Sequence, residues 1–205
     1  TVTPIIVPLA CLSTITDYDW SMPGGSPSTS SGLFPGSVDY NTPGNYTISV
    51  DVTNGCGTTT VFQNFNVWEL PDADAGPDQA FCYGLGTMIG GTPTASDGTP
   101  PYTYSWTPIS PDLNNPTNPN PTVTPAIVGS TTYTVNVTDA NFCTDSDDVV
   151  VTAHPLPDAD AGNPTAICNE DSIQLGGNPT ATGGTPGYTY DWNPSGSLDA
   201  DDISN

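Results

Sequence analysis

The hexapeptide Pro71-Asp72-Ala73-Asp74-Ala75-Gly76 recurs as Pro157-Asp158-Ala159-Asp160-Ala161-Gly162, a shift of 157 − 71 = 86 residues. The register then holds without a gap: Cys82 falls on Cys168, Gly90-Gly91 on Gly176-Gly177, Tyr102-Thr103-Tyr104 on Tyr188-Thr189-Tyr190 and Trp106 on Trp192. Of the 36 positions from 71 to 106, 20 are identical to their partners, which excludes coincidence. A period of 86 residues is the size of a small domain and well beyond the roughly 20–45 residues of a solenoid repeat, so each copy must bury a core of its own.

A more distant copy precedes these two. Asn45-Tyr46-Thr47-Ile48-Ser49-Val50-Asp51-Val52-Thr53-Asn54-Gly55-Cys56 runs parallel to Thr132-Tyr133-Thr134-Val135-Asn136-Val137-Thr138 with Asn141-Phe142-Cys143. Domains are therefore expected over residues 1–70, 71–156 and 157–205, the first incomplete at its N-terminal side and the third about half built.

Each copy carries strand signals. Tyr102, Tyr104 and Trp106 alternate with Thr103 and Ser105, which puts the aromatics on one face of a strand and the hydroxyls on the other. Tyr133, Val135 and Val137 repeat the alternation, as do Tyr46, Ile48, Val50 and Val52, and Val149 to Val151 reads as a closing apolar strand. Between these runs lie Gly/Pro turns. The stretch from Pro108 to Pro125 is too rich in proline for a central strand and reads as an extended surface loop. The fold class expected is all-β: tandem immunoglobulin-like β-sandwiches forming an extended rod.

Composition narrows what such a rod does. Gly and Pro number 21 and 23, a level compatible with disorder, but the recurrent Trp and Tyr positions belong to buried β faces. There is no Lys or Arg against 22 acidic residues, a formal charge of −22. Such a chain has no cation with which to hold phosphate, so neither nucleic acid nor an anionic membrane surface is an expected partner. The apolar stretch from Pro4 to Leu12 is too short for membrane insertion.

Five cysteines in an acidic β-patterned chain point to an oxidising compartment. Cys82 precedes the first core strand and Cys143 follows the Tyr133 strand, so a disulfide between them is expected to close one unit, with Cys11 and Cys56 as the same device in the first. By the same spacing of 143 − 82 = 61, the partner of Cys168 would sit at 168 + 61 = 229, beyond the last residue, so the protein is expected to continue. A Cys-ligated metal is disfavoured because no Cys-x-x-Cys pair exists and His154 is the single histidine.

Trp20-Ser-Met-Pro-Gly-Gly, Tyr40-Asn-Thr-Pro-Gly-Asn-Tyr-Thr and Val52-Thr-Asn resemble the polycystic-kidney-disease (PKD) type of Ig-like domain, with Met22-Pro23 where that family has Phe-Gly. The second and third copies resemble repeats of very long surface proteins of Bacteroidota. The segments that carry this likeness are Gly-Thr-Pro-Pro-Tyr-Thr-Tyr-Ser-Trp at 98–106 and Tyr-Thr-Val-Asn-Val-Thr-Asp-Ala-Asn-Phe-Cys at 133–143. The resemblance implies export across the outer membrane by the type IX route and display at the bacterial cell surface as adhesin filaments, including those used in gliding motility. Other members are spacers in secreted multidomain hydrolases, so family likeness alone does not decide between the two.

No catalytic set is expected: there is one His, no Lys or Arg, and no Cys/His or Ser/His/Asp constellation to assemble. The chemistry left is that of the carboxylates. Asp72, Asp74 and Asp78, recurring in part as Asp158 and Asp160, with Asp145, Asp147 and Asp148 on the adjacent turn, form a candidate calcium set, since hard cations take several oxygens. The competing reading is that these acids keep a long fibre solvated and mutually repulsive, and the lack of an Asp-x-Asp-x-Asp-Gly loop favours it. The expected partners are other domains of the same fibre, surface carbohydrate, and secretion or anchoring proteins. The expected function is a stiff acidic spacer in a cell-surface adhesin or filament, and the alternative is a spacer array in a secreted hydrolase.

Overall fold

The computed structural model describes residues 14–193. All of its regular elements are β-strands, and the chain divides into two compact units, Thr1–Leu70 and Pro71–Asn205.

In the first unit β1 (Ile15–Ser21), β2 (Thr29–Ser31), β3 (Gly44–Asn54) and β4 (Gly57–Val67) form one antiparallel sheet in the order β2-β1-β3-β4. The β3–β4 hairpin runs in unbroken register from Gly44↔Val67 to Asn54↔Gly57. That register brings Tyr46 opposite Phe65 and Val50 opposite Val61, with Trp20 of β1 opposite Val50, so the alternating apolar residues share one face. Tyr40 packs its ring against Tyr46 and Phe65 at centroid distances of 4.6 and 4.9 Å. The turn after Trp20 also forms: Met22 takes the buried place at 1% exposure, and Gly25 N–H donates to Met22 O at 3.0 Å. A Cβ on Gly25 would lie 2.4 Å from Val38 Cγ1, so only glycine fits beneath the Tyr40 cluster.

The second unit contains β5 (Pro71–Ala73), β6 (Gln79–Cys82), β7 (Thr87–Met88), β8 (Ala95–Asp97), β9 (Thr103–Thr107), β10 (Thr122–Val123), β11 (Gly129–Thr138) and β12 (Thr144–His154). One layer is the sheet β6-β12-β11-β9, and the other is made of the pairs β5–β8 and β7–β10. Between them lie Trp106, Tyr133, Val135, Val137, Val149 and Val151 from the four-stranded sheet, packed on Ala73, Ala75, Ile89, Ala95, Leu113 and Val123. This is the β-sandwich that the alternation predicted: Trp106 is 0% exposed, and Tyr102 and Tyr104 pack partly buried against the same core.

The Pro108–Pro125 stretch is not simply a surface loop. It folds back on the core, burying Leu113, Pro121 and Val123 and contributing β10. Its prolines lack N–H donors, but their carbonyls accept: Pro116 O takes the Trp106 N–H at 2.8 Å, Pro121 O takes the Ile89 N–H at 3.1 Å, and Pro119 O takes the Thr94 hydroxyl at 3.0 Å. Asn118 O takes the Trp106 indole N–H at 3.0 Å. A donor-poor segment thus serves as an acceptor strip at the edge of a sheet.

The 86-residue period is also a period of hydrogen bonding. β13 (Pro157–Ala159) pairs with β14 (Ala181–Gly183) as β5 pairs with β8, Ala159↔Ala181 repeating Ala73↔Ala95. Asp74 N→Thr94 O, Gly90 N→Ala75 O and Gly91 N→Asp74 O recur as Asp160 N→Thr180 O, Gly176 N→Ala161 O and Gly177 N→Asp160 O. Gly76 and Gly162 occupy the left-handed region at φ 80° and 86°. A Cβ on either would come within 2.9 Å of the carbonyl oxygen of Gly90 or Gly176, which explains glycine as the last residue of the junction hexapeptide.

Candidate functional site: a carboxylate brace along β12

β12 alternates its side chains between faces, so Asp145 and Asp147 lie on the same side as Val149, Val151 and Ala153, while Ser146 and Asp148 point to solvent. The inward carboxylates do not meet each other. Asp145 Oδ2 accepts the backbone N–H of Ala73 at 2.9 Å, and Asp147 Oδ2 accepts that of Ala75 at 2.9 Å. Farther along, Asp78 Oδ1 accepts the N–H of Val150 at 2.8 Å. All three bonds span 72 residues, and the parallel ladder of β6 on β12, from Val151↔Gln79 to His154↔Cys82, keeps that same offset (151 − 79 = 72). Residues 73–82 therefore run parallel to 145–154 along their whole length, held first by carboxylates and then by backbone.

A second carboxylate organises the turn between β11 and β12. Asp139 is 4% exposed. Its Oδ1 accepts the N–H groups of Asn141 and Cys143, each at 2.8 Å, and its Oδ2 accepts the N–H of Thr99 at 3.0 Å. One carboxyl side chain thus satisfies three backbone donors and ties the hairpin to the loop before β9. Asp74 Oδ1 and Asp160 Oδ1 each accept the N–H two residues on, at Gly76 and Gly162, both at 2.8 Å. These are Asx turns that shape the junction hexapeptide.

The calcium set is accordingly redistributed. Asp74, Asp78, Asp145, Asp147 and Asp160 bond backbone N–H groups, and Asp72, Asp148 and Asp158 face solvent. Among the described residues no three acidic, histidine or cysteine side chains gather as a metal site. Strand geometry is the reason: same-face residues sit about 7 Å apart along a strand, whereas calcium needs six to eight oxygens converging at about 2.4 Å.

The Cys82–Cys143 disulfide is overturned. Both are free thiols. Cys82 closes β6 opposite His154, at the end of β12, and Cys143 immediately precedes Thr144, at its start. Eleven residues of strand separate the two by roughly 30 Å, against a Cα separation below about 7 Å in a disulfide. The parallel course of β6 and β12 puts the two cysteines at opposite ends of the sandwich. Cys56 is disulfide-bonded, Cys11 lies outside the described residues, and Cys168 is an exposed free thiol.

Two phenols are perturbed. Burial pushes the Tyr104 hydroxyl above its usual value, with Tyr102 beside it adding to the effect. Burial also raises Tyr133, with the Ser110 side chain beside its hydroxyl acting in the opposite direction.

The PKD-like domain family matches residues 9–67, within the first unit. No curated protein matches the chain. Solved structures with similar chains include extracellular domains 3–5 of Drosophila OTK, at 14% identity over 68% of this chain and 52% of that one, TM-score 0.39. The fibronectin(III)-like modules of Clostridium thermocellum CbhA align at 11% identity over 72% and 82%, TM-score 0.33. Domains 4 and 5 of the S-layer protein SbsC align at 17% identity over 67% and 70%, TM-score 0.31.

Proposed function

We propose that this chain, whose first unit is PKD-like, is a structural repeat segment of a large extracellular protein, a spacer that transmits tension through β-sandwiches. The finer reading is a bacterial cell-surface adhesin or filament used in attachment or gliding, with other domains of the same fibre as partners. The observation that carries the proposal is the parallel pairing of β6, near the start of the repeat, with β12, its last strand. Residue 73 enters the clamp at the Asp145 end and residue 154 leaves it at the Cys82 end. A pull on the two ends slides the strands past one another, so the bonds of the clamp break together and not one at a time.

The acids fit the same reading. Those on the inner face of β12 extend the clamp beyond the four backbone-paired positions of β6, and those outside give each repeat a solvated surface that repels its neighbours. The test is made in the full-length protein on its own cells, by measuring how far the protein projects. Deleting residues 71–156 shortens the projection by one domain, and inserting an unrelated β-sandwich of the same length restores both reach and attachment. If attachment stays lost when reach is restored, the segment is itself a binding domain and the spacer reading fails.

A further inference from the structure

Cys82 and Cys143 mark opposite poles of the second repeat. Cys82 ends β6 beside His154, the last residue of β12, and is exposed. Cys143 lies in the β11–β12 turn, where its N–H donates to the Asp139 carboxylate and its C=O accepts the Asp139 N–H. That turn stands at the entrance of the sandwich: a Cβ added to Gly98 would lie 2.9 Å from Pro71 N, at the start of β5, and 3.1 Å from Asp139 Oδ2. The third copy opens in the same way, since a Cβ on Gly184 would lie 3.0 Å from Pro157 N, at the start of β13. Only Pro155 and Leu156 separate His154 from Pro157. Three peptide steps, about 10 Å at full stretch, thus carry the chain from the exit pole of one copy to the entrance pole of the next.

The length of β12 denies each thiol a partner inside its own sandwich, yet the turn position is one that takes a disulfide: Cys56, which parallels Cys143 in the first unit, is disulfide-bonded. The exit-pole cysteine recurs 86 residues on as Cys168, also exposed. We propose that the exit-pole cysteine of each copy of the 86-residue repeat bonds the turn cysteine of the copy that follows it, a disulfide across the junction and not within a domain. For Cys82 that partner falls at position 143 + 86 = 229, so among the described residues Cys82 and Cys143 are free. The bond needs a Cα separation below about 7 Å, and the short junction brings exit and entrance poles within reach of it. Two S–H bonds break and one Sγ–Sγ bond forms; the two protons pass to solvent, and the two electrons reduce an oxidising disulfide such as oxidised glutathione to its thiols. Each junction is then crossed twice, by peptide chain and by sulfur, which limits bending there. The inference rests on the tandem repeat and not on the spacer reading.

The test has two arms. In the first, the full-length protein from its own cells is unfolded in iodoacetamide and digested with chymotrypsin without reduction. The peptide carrying Cys82 is expected to be joined to the peptide carrying the turn cysteine of the following copy. In the second, residues 157–205 are replaced by an exact second copy of residues 71–156, and the protein is equilibrated in a glutathione redox buffer before unfolding and alkylation. Among the four thiols of the two copies, Cys82 of the first and Cys143 of the second are expected to be labelled at least tenfold less than the other two. Cys82→Ser in the first copy is expected to release the second copy's Cys143 to alkylation, whereas Cys82→Ser in the second copy changes nothing. A bond between Cys82 and Cys143 of one copy overturns the proposal. So do four equally labelled thiols, or unlinked cysteines in the full-length protein.

Discussion

The carboxylate of Asp147 accepts the backbone N–H of Ala75 at 2.9 Å across 72 residues of sequence, from the same strand face that carries the buried valines of β12. It does for this stretch what a ladder bond does farther along. Replacing Asp147 by Ala leaves the N–H of a fully buried alanine without an acceptor, and the expected cost is about 2 kcal/mol. Asp148→Ala, on the solvent side of the same strand, is expected to change stability by less than about 0.5 kcal/mol. Urea denaturation of the two variants against the parent measures the contrast.

Asp139 carries more. Its removal orphans the N–H groups of Thr99, Asn141 and Cys143 together, so Asp139→Ala is expected to destabilise the second unit by about 3 kcal/mol or more. Asp139→Asn keeps one acceptor oxygen and is expected to fall between the two. Equal stability of all three proteins would show that the turn holds without its carboxylate.

Tyr104 and Tyr133 set an alkaline limit. Both phenols are raised above the usual tyrosine value of 10.0, chiefly by burial, so the folded state holds its protons more tightly than the unfolded chain. Their contribution is complete below pH 10 and is lost as pH rises through the folded-state values. Melting temperatures are expected to fall above pH 10, with the tyrosinate absorbance of these two residues appearing together with unfolding. Tyr133→Phe removes the buried hydroxyl that titrates beside Ser110 and is expected to blunt the dependence without destabilising the fold.

Cys82, Cys143 and Cys168 are free, so alkylation of the unfolded, unreduced protein is expected to label these three. In the folded protein Cys82, exposed, reacts ahead of Cys143, which is half-buried and whose N–H is held by Asp139. A chymotryptic or acid-protease fragment joining Cys82 to Cys143 would contradict the parallel course of β6 and β12.

Much of this fold is legible before any coordinates. The repeat shows by identity alone, and the Tyr-x-Val-x-Val alternation of β11 names its buried face, because a strand that is wet on one side must alternate. The roles of the acids are legible in the same parity along β12: Asp145 and Asp147 share the odd positions of Val149 and Val151, and a carboxylate on an apolar face needs a donor. The number of acids in the chain says nothing of their phase along a strand. What the linear chain hides is strand direction. Placing Cys82 before one strand and Cys143 after another says nothing about which end of the sandwich each occupies, and that is decided by β6 joining β12 in parallel. Likewise the proline count of residues 108–125 foretold the missing donors, but not that the carbonyls would be used.

The shear clamp between residues 73–82 and β12 is tested most directly by stretching single molecules held at their two termini. Unfolding of the second repeat is expected as one abrupt step that lengthens the chain by about 260 Å, the extended length of 86 residues less the span of the folded repeat. Its force is expected to drop in the Asp145→Ala, Asp147→Ala double variant. Gradual lengthening without such a step, or a step whose force ignores the loss of both carboxylates, would contradict the clamp and with it the reading of this chain as a tension-bearing spacer.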